Sequence, residues 1–269
     1  ARIDTMSRHL LQILLLLPSA AFAQSSTSDV IAEQLDDRWT LGVALSLSDS
    51  PYAGEDIRPR PFPLVTYQGE RIFWRGLSGG IHAFKGDAFA LDFIVSGRFD
   101  GFDIKDLGRV ELAANGVDAK HLVDRDDGVD VGLAASWEGR AGEIKLRALV
   151  DATDTSSGYE FAVDYAYPLQ FGKTKVVPAV GARWLSDDLA DYYYGTLDEE
   201  VARGAPLYRP GASVIPELSL GVYRPIGKKW MFFGSAKYEF LPSEITDSPL
   251  LDKDASGAAG LRIGFSRGF

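Results

Sequence analysis

From Trp39 onward the chain alternates. Apolar side chains fall at Trp39, Leu41, Val43, Leu45 and Leu47, with Thr40, Gly42, Ala44 and Ser46 between them. That is the period of two which sends successive side chains to opposite faces of a strand. The rhythm returns in Phe89, Leu91, Phe93, Val95 and Phe99 against Asp92, Ser96 and Arg98, and in Val129, Val131, Leu133, Ala135 and Trp137 against Asp130, Ser136 and Glu138. Ile144, Leu146, Ala148 and Val150 alternate with Glu143, Lys145, Arg147 and Asp151; Tyr159, Phe161, Val163, Tyr165 and Tyr167 alternate with Glu160 and Asp164. Later, Val176, Pro178, Val180 and Trp184 oppose Lys175 and Arg183, while Val214, Leu218, Leu220 and Val222 oppose Glu217 and Ser219. Trp230, Phe232, Tyr238 and Phe240 oppose Lys237 and Glu239, and Leu261, Ile263, Phe265 and Phe269 finish the chain. The pattern predicts an all-β, antiparallel fold with one apolar and one charged face.

Alternation is shared by soluble sandwiches and membrane barrels, so other signals decide between them. Aromatic residues bracket the strands at Trp39, Trp137, Tyr159, Tyr167, Trp184, Trp230, Phe240 and Phe269, as the interfacial girdles of a transmembrane barrel do. Connectors also alternate in length. Glu138 to Gly142, Phe171 to Lys173 and Pro225 to Lys228 are short, whereas Ser48 to Arg60, Asp100 to Gly128, Ser186 to Ala212 and Leu241 to Ser256 are long and polar. Short periplasmic turns and long extracellular loops produce that pattern. Inspection yields eleven strands, but a bacterial barrel with both termini in the periplasm needs an even number. Counting back from Phe269 locates the discrepancy between Phe62 and Phe84. Gly69-Glu70 and Gly76 to Gly80 supply two reversals there, which predicts three short strands and twelve in all; one bulged strand would give ten. A strand hidden between Lys105 and Asn115 would also restore parity.

The segment ahead of the first strand reads as a targeting signal. Met6, Arg8, the apolar run Leu10 to Leu17, Pro18 and the small-x-small site Ala21-Phe22-Ala23 follow the tripartite secretory plan. Eight apolar residues are far short of the roughly 20 that a spanning helix needs. Residues 1–23 are therefore expected to be a signal peptide with a few upstream residues, 24–37 a periplasmic segment and 38–269 the barrel. Cleavage removes 23 of 269 residues and leaves 246, with no cysteine anywhere, so the fold must be held by means other than disulfides, and barrel closure, which pairs every edge strand, is one such means. A net charge of −10 argues against nucleic acid as a partner. It suits a surface among divalent cations, where acidic loops could share Mg²⁺ or Ca²⁺ with lipopolysaccharide phosphates.

The inward positions carry both signs: Asp92, Arg98, Glu143, Lys145, Arg147, Asp164, Arg183, Glu217, Lys237 and Glu239. In a lumen of ten to twelve strands, ion pairs across the interior are expected to fill most of the space, with a narrow selective pore as the alternative. Catalysis has little to build on. Only His82 and His121 follow the signal segment, there is no cysteine nucleophile and no nucleophile elbow, so no catalytic, cofactor-binding or metal-ligating residue and no cofactor is assigned. His82 is expected to be an inward, hydrogen-bonded filler. Asp124-Arg125-Asp126-Asp127-Gly128 lacks the Asp-x-Asp-x-Asp-Gly order and distal Glu of a calcium loop and reads as a solvated loop.

Short landmarks then point to a family. They are Tyr52-Ala53-Gly54, Pro63 to Tyr67 followed by Glu70-Arg71-Ile72-Phe73, Asp191-Tyr192-Tyr193-Tyr194-Gly195, Tyr208-Arg209-Pro210, Ser243-Glu244-Ile245 with Asp247-Ser248-Pro249, and the Gly-x-Phe near the end. In this order and spacing they resemble the MipA/OmpV family of outer-membrane proteins, the MltA-interacting proteins; Ile72 departs from the second aromatic expected there. The resemblance implies an outer-membrane scaffold in contact with outer-membrane lipid and lipopolysaccharide. Its implied partners are a lytic transglycosylase and a peptidoglycan synthase, so that murein hydrolysis is coupled to synthesis. Other members resemble adhesins or permeability and stress-response proteins. No catalytic residue carries over. The tyrosine-rich segments 192–195 and 208–210 frame one long loop and are expected to order it by packing.

Overall fold

The structure, a computed structural model, describes residues 37–55 and 57–269; the expected signal peptide and nearly all of the segment 24–37 lie outside them. One antiparallel sheet closes on itself. Its strands are β1 (Trp39–Ser48), β2 (Arg58–Gln68), β3 (Ile72–Arg75), β4 (Ser78–Lys85), β5 (Phe89–Arg98), β6 (Gly128–Gly139), β7 (Gly142–Asp151), β8 (Tyr159–Ala166 continued by Leu169–Phe171), β9 (Thr174–Leu185), β10 (Ser213–Ile226), β11 (Trp230–Phe240) and β12 (Gly257–Gly268). Each pairs with its sequence neighbours, and β12 pairs with β1 from Gly268↔Thr40 to Gly260↔Ser48. The two segments of β8 count as one strand because Ala166↔Ala179 and Leu169↔Val176 keep a single register on β9 across Pro168, whose missing N–H interrupts the ladder.

Twelve strands result, and the region between Phe62 and Phe84 does hold three of them. The first begins earlier than expected, at Arg58, within the segment read as loop. Pro59, Pro61 and Pro63 disguise it, since proline is rare in strands. All three point outward and are exposed, and β3 is too short to pair with this part of β2, meeting only Thr66 to Gln68. The absent N–H groups therefore fall on an edge that needs no donors. In β4 the register shifts between His82 and Phe84; this bulge keeps the His82 ring inside and Phe84 outside.

Outward positions are the apolar set read from the alternation, and Trp39, Trp137, Tyr159, Tyr167, Trp230, Phe240 and Phe269 all lie exposed on the outer face. The lumen is not uniformly polar. Phe62, Leu64, Tyr223, Met231 and Phe233 are buried inside the barrel with Ala44 and Val177 against them. Gly264 makes room for this cluster, because a Cβ there would stand 2.5 Å from Phe233 Cζ.

The long connectors gather at one end, the extracellular end of such a barrel, and fold into a cap. Residues 99–127 contain no strand between Lys105 and Asn115. They form helix α1 (Arg109–Ala114) flanked by single 3₁₀ turns at Ile104–Asp106 and Ala119–His121. Residues 186–212 carry α2 (Asp187–Tyr194) and α3 (Asp198–Ala202), and 241–256 carry α4 (Ser243–Thr246). Ser186 caps α2, its hydroxyl accepting from Leu189 N at 3.3 Å. The cap has its own core. Tyr52 and Ala53, Phe102, Leu107, Leu112 and Leu122, Leu189 and Tyr193, and Ile245, Leu250 and Leu251 are buried together, drawn from four loops.

Candidate functional site

Two layers close the barrel from outside inward, the cap and the charged lumen beneath it. Arg125 anchors the cap. Its guanidinium meets the Glu200 carboxylate through both oxygens, Nη1 to Oε1 at 2.7 Å and Nη2 to Oε2 at 2.8 Å, with both side chains fully buried. It also donates to the carbonyls of Tyr192, Val123 and Gly195 at 2.6, 2.8 and 3.1 Å. Glu200 in turn accepts from the backbone N–H groups of Val123 and Leu197, each at 2.8 Å. One planar fork thus ties the loop after β5 to the loop after β9. Burial pushes the Glu200 carboxyl up, but hydrogen bonds and charge from Arg125 outweigh it and hold the group below the ordinary range.

The segment Asp124 to Gly128 is therefore not simply a solvated loop. Its charges misled because the partner of Arg125 stands 75 residues away. Asp127 in the same segment is half-buried; burial pushes its carboxyl up to about 6 against a hydrogen bond from Gly101 N. The tyrosine segments do order their loop. Tyr193 is buried, its carbonyl accepts from Tyr52 Oη at 3.1 Å, and Tyr208 N donates to Thr196 Oγ1 at 2.8 Å. Ser248 Oγ donates to the Tyr194 carbonyl, so the Tyr52, Tyr193 and Ser248 landmarks meet in one place.

Below the cap runs an ion-pair network. Arg98 on β5 contacts Asp130 on β6 at 2.6 Å and reaches Glu160 on β8 at 3.2 Å. Arg183 on β9 joins Glu160 at 3.4 Å and Glu239 on β11 at 3.0 Å, and Lys237 bridges Glu217 and Glu239 at 2.7 and 2.9 Å. Arg147–Asp164 and Lys145–Glu143 sit lower, at 3.1 and 3.2 Å. All ten side chains expected inside are inside, and two of their pairs, Arg98–Glu160 and Arg183–Glu239, reach across non-adjacent strands. His82 Nδ1 lies 2.6 Å from Asp92 Oδ1, and its Nε2 faces the Gln68 amide at 3.3 Å, which Arg75 holds in turn. The ring thus points into the lumen and is hydrogen-bonded through both nitrogens, to Asp92 and to Gln68. His121 lies in the cap, far along the chain from this pair, and the two histidines are not brought together by any described contact.

A cavity of about 430 Å³ remains in the lower lumen, lined by His82, Arg147, Asp164 and Lys237 and reaching the Gly86–Ala88 turn at the periplasmic end. Sequence reasoning missed the inward Met231 and Phe233. The signal was present: Trp230 to Phe233 is an unbroken apolar run, which marks a strand apolar on both faces.

A closed twelve-strand barrel with a lipid-facing apolar surface, aromatic girdles and a salt-bridged interior defines an outer-membrane β-barrel protein. The family described as MltA-interacting protein MipA matches residues 41–267, and the chain belongs to that family. It is 29% identical over 223 residues to the MltA-interacting protein of Escherichia coli (strain K12), covering 82% of this chain and 87% of that one. Against the putative outer membrane protein YiaT of the same strain it is 28% identical, covering 88% and 92%. With the outer membrane protein OmpV of Vibrio cholerae serotype O1 the identity is 27%, covering 74% and 75%. Among solved structures the NanC porin superposes with a TM-score of 0.50 at 10% identity, covering 85% of this chain and all of that one, a likeness of fold alone.

Proposed function

We propose that this protein is a non-enzymatic, non-conducting outer-membrane scaffold that presents its periplasmic side to murein-hydrolysing and murein-synthesising enzymes. The observation that carries this reading is the cap: four loops share one buried core and a buried Arg125–Glu200 fork over the extracellular mouth, while the lumen below is cross-linked by ion pairs. A conducting pore needs a continuous wet path, and this arrangement obstructs it at two levels. The name of the relative at 29% identity, MltA-interacting protein, supports a murein enzyme as the partner. Partners of that kind would meet the short periplasmic turns, because the cap lies on the opposite side of the membrane.

The test combines two measurements on the detergent-purified protein. Planar bilayers are expected to show no discrete conductance, and affinity capture from a solubilised envelope is expected to retain a lytic transglycosylase or a peptidoglycan synthase. Conductance steps that shift on charge reversal at Arg147 or Lys237 would establish a pore instead and overturn the scaffold reading.

A further inference from the structure

The periplasmic rim is electrically lopsided. Three of its hairpins are balanced: Glu70 stands beside Arg71, Asp87 near Lys85 and Glu138 near Arg140, all exposed. The other two, β8 to β9 and β10 to β11, are different, as are the neighbouring ends of β12 and β1. They carry Lys173, Arg224, Lys228, Lys229, Arg267 and Arg38, all exposed, and no exposed side-chain carboxylate. The acidic residue next to them, Asp37, is half-buried, its carboxylate lying over the inward-facing Gly268. None of the six cations is in an ion pair among the described residues. In a chain of net charge −10 such an arc does not reflect a general surplus of basic residues. Strands β9 to β1 are neighbours, and at about 4.8 Å per strand the arc is roughly 20 Å wide.

Two of the six decide what the arc meets. Arg224 and Arg267 sit in the outward register, continuing the exposed apolar rows of Leu218 and Leu220 on β10 and of Ile263 and Phe265 on β12. The Arg267 guanidinium lies 5.0 Å from the Phe269 ring centroid and 5.8 Å from that of Trp230, and Arg224 Nη1 donates to Thr174 Oγ1 at 3.3 Å. The exposed rings of Trp39, Phe171, Trp230 and Phe269 mark this level as the lower girdle. A cation on the lipid face is tolerated only near an interface, where its remaining N–H donors meet headgroups. An acidic protein in the periplasm would approach from below, whereas a headgroup lies to the side, where these two arginines project. We infer that this arc binds anionic phospholipid of the periplasmic leaflet. The guanidinium forks of Arg224 and Arg267 take the phosphodiester, and Lys173, Lys228, Lys229 and Arg38 add charge around it; clusters of roughly 4–8 basic residues at a membrane surface attract anionic lipid in this way. The inference does not depend on the murein reading, since the balanced hairpins stay clear for such a partner.

The experiment titrates the whole detergent-solubilised protein with dioleoyl phosphatidylglycerol or dioleoyl phosphatidylcholine and counts retained lipid by native mass spectrometry. Phosphatidylglycerol should be retained in preference, and rising ionic strength should erode that preference. Arg224→Gln and Arg267→Gln should each lower it by about five-fold, the contribution of one basic residue beside an anionic surface, and the two together by more. Arg267→Lys should keep part of it. Arg140→Gln, the same change in charge on a balanced hairpin, should leave it nearly unaltered. Heat-modifiable mobility verifies that each variant folds, and Lys228→Gln with Lys229→Gln repeats the test in a turn without altering a strand. Equal retention of the two lipids would overturn the proposal. So would an unaltered preference in the protein carrying both Arg224→Gln and Arg267→Gln; if that protein instead loses capture of an envelope protein, the arc is a protein-docking surface.

Discussion

Cutting the Arg125–Glu200 fork should open the cap without unfolding the barrel. Breaking a buried ion pair by removing one member costs about 3–5 kcal/mol. Here the lower end applies, because each orphan keeps other partners. In Arg125→Met, Glu200 still accepts from Val123 N and Leu197 N; in Glu200→Gln, Arg125 still donates to three carbonyls. A loss of about 3 kcal/mol raises the open population roughly a hundred-fold or more. If the cap recloses faster than a protease cuts, cleavage follows that population. The assay is protease treatment of outward-facing proteoliposomes, scored by nicking within residues 196–212, with barrel integrity followed by heat-modifiable mobility. Adding Glu200→Gln to Arg125→Met should slow cleavage relative to Arg125→Met alone, because the buried charge is then gone. Cleavage of Arg125→Met within about three-fold of the parent protein would refute the reasoning. So would a barrel that melts in step with the cap.

Asp127 predicts a pH dependence of opposite sense to the fork. Its carboxyl titrates near 6 in the folded cap against an ordinary 3.8, so its contribution is most favourable below the lower value and is lost as pH rises through the higher one. Asp127→Asn should flatten this dependence and slow cap nicking at neutral pH, by at most about 3 kcal/mol. Glu200, held below the ordinary range, stabilises the cap above its unfolded pKa, and this support is lost only as pH falls through the depressed value. Nicking rates measured across the acid range separate the two groups. Tyr52→Phe removes the hydroxyl that donates to the Tyr193 carbonyl and should destabilise the cap by about 1–3 kcal/mol, read by amide exchange in α2. Leu133→Arg puts a charge on the lipid face of β6 and should cost about 2–4 kcal/mol in a refolding titration into bilayers; Ala134→Ser, on the lumen face, should cost far less.

The barrel was legible because lipid and lumen impose different chemistry on alternate residues. Leu133 and Asp130 could be assigned to faces without any partner being known, and parity together with the reversals at Gly69-Glu70 and Gly76 to Gly80 placed three strands between Phe62 and Phe84. The start of β2 was hidden by its prolines, whose tolerance depends on the shortness of β3, a neighbour whose length only the pairing reveals. The cap was illegible for a different reason. Its helices span four to eight residues, too short for a 3.6-residue period to emerge. Its contacts, Tyr52 with Tyr193 and Arg125 with Glu200, join loops that alternation says nothing about. The lumen was read half correctly: ten charged residues were placed, while the apolar cluster around Phe233 escaped because both faces of that stretch are apolar.

The cap also carries information about time. Tyr52, Phe102, Tyr193 and Leu250 lie in loops spread over most of the chain, and the loops come together only where the barrel holds their ends. Closure of β12 onto β1 brings residues 49–55 beside 250–252, where Ala53 N donates to the Leu250 carbonyl. Until that last pairing forms, the loops would have to meet at the full entropic cost of long-range closure. A sealed, protease-resistant outer surface is therefore a receipt for completed insertion, and a barrel stalled one strand short would display its tyrosines to the outside.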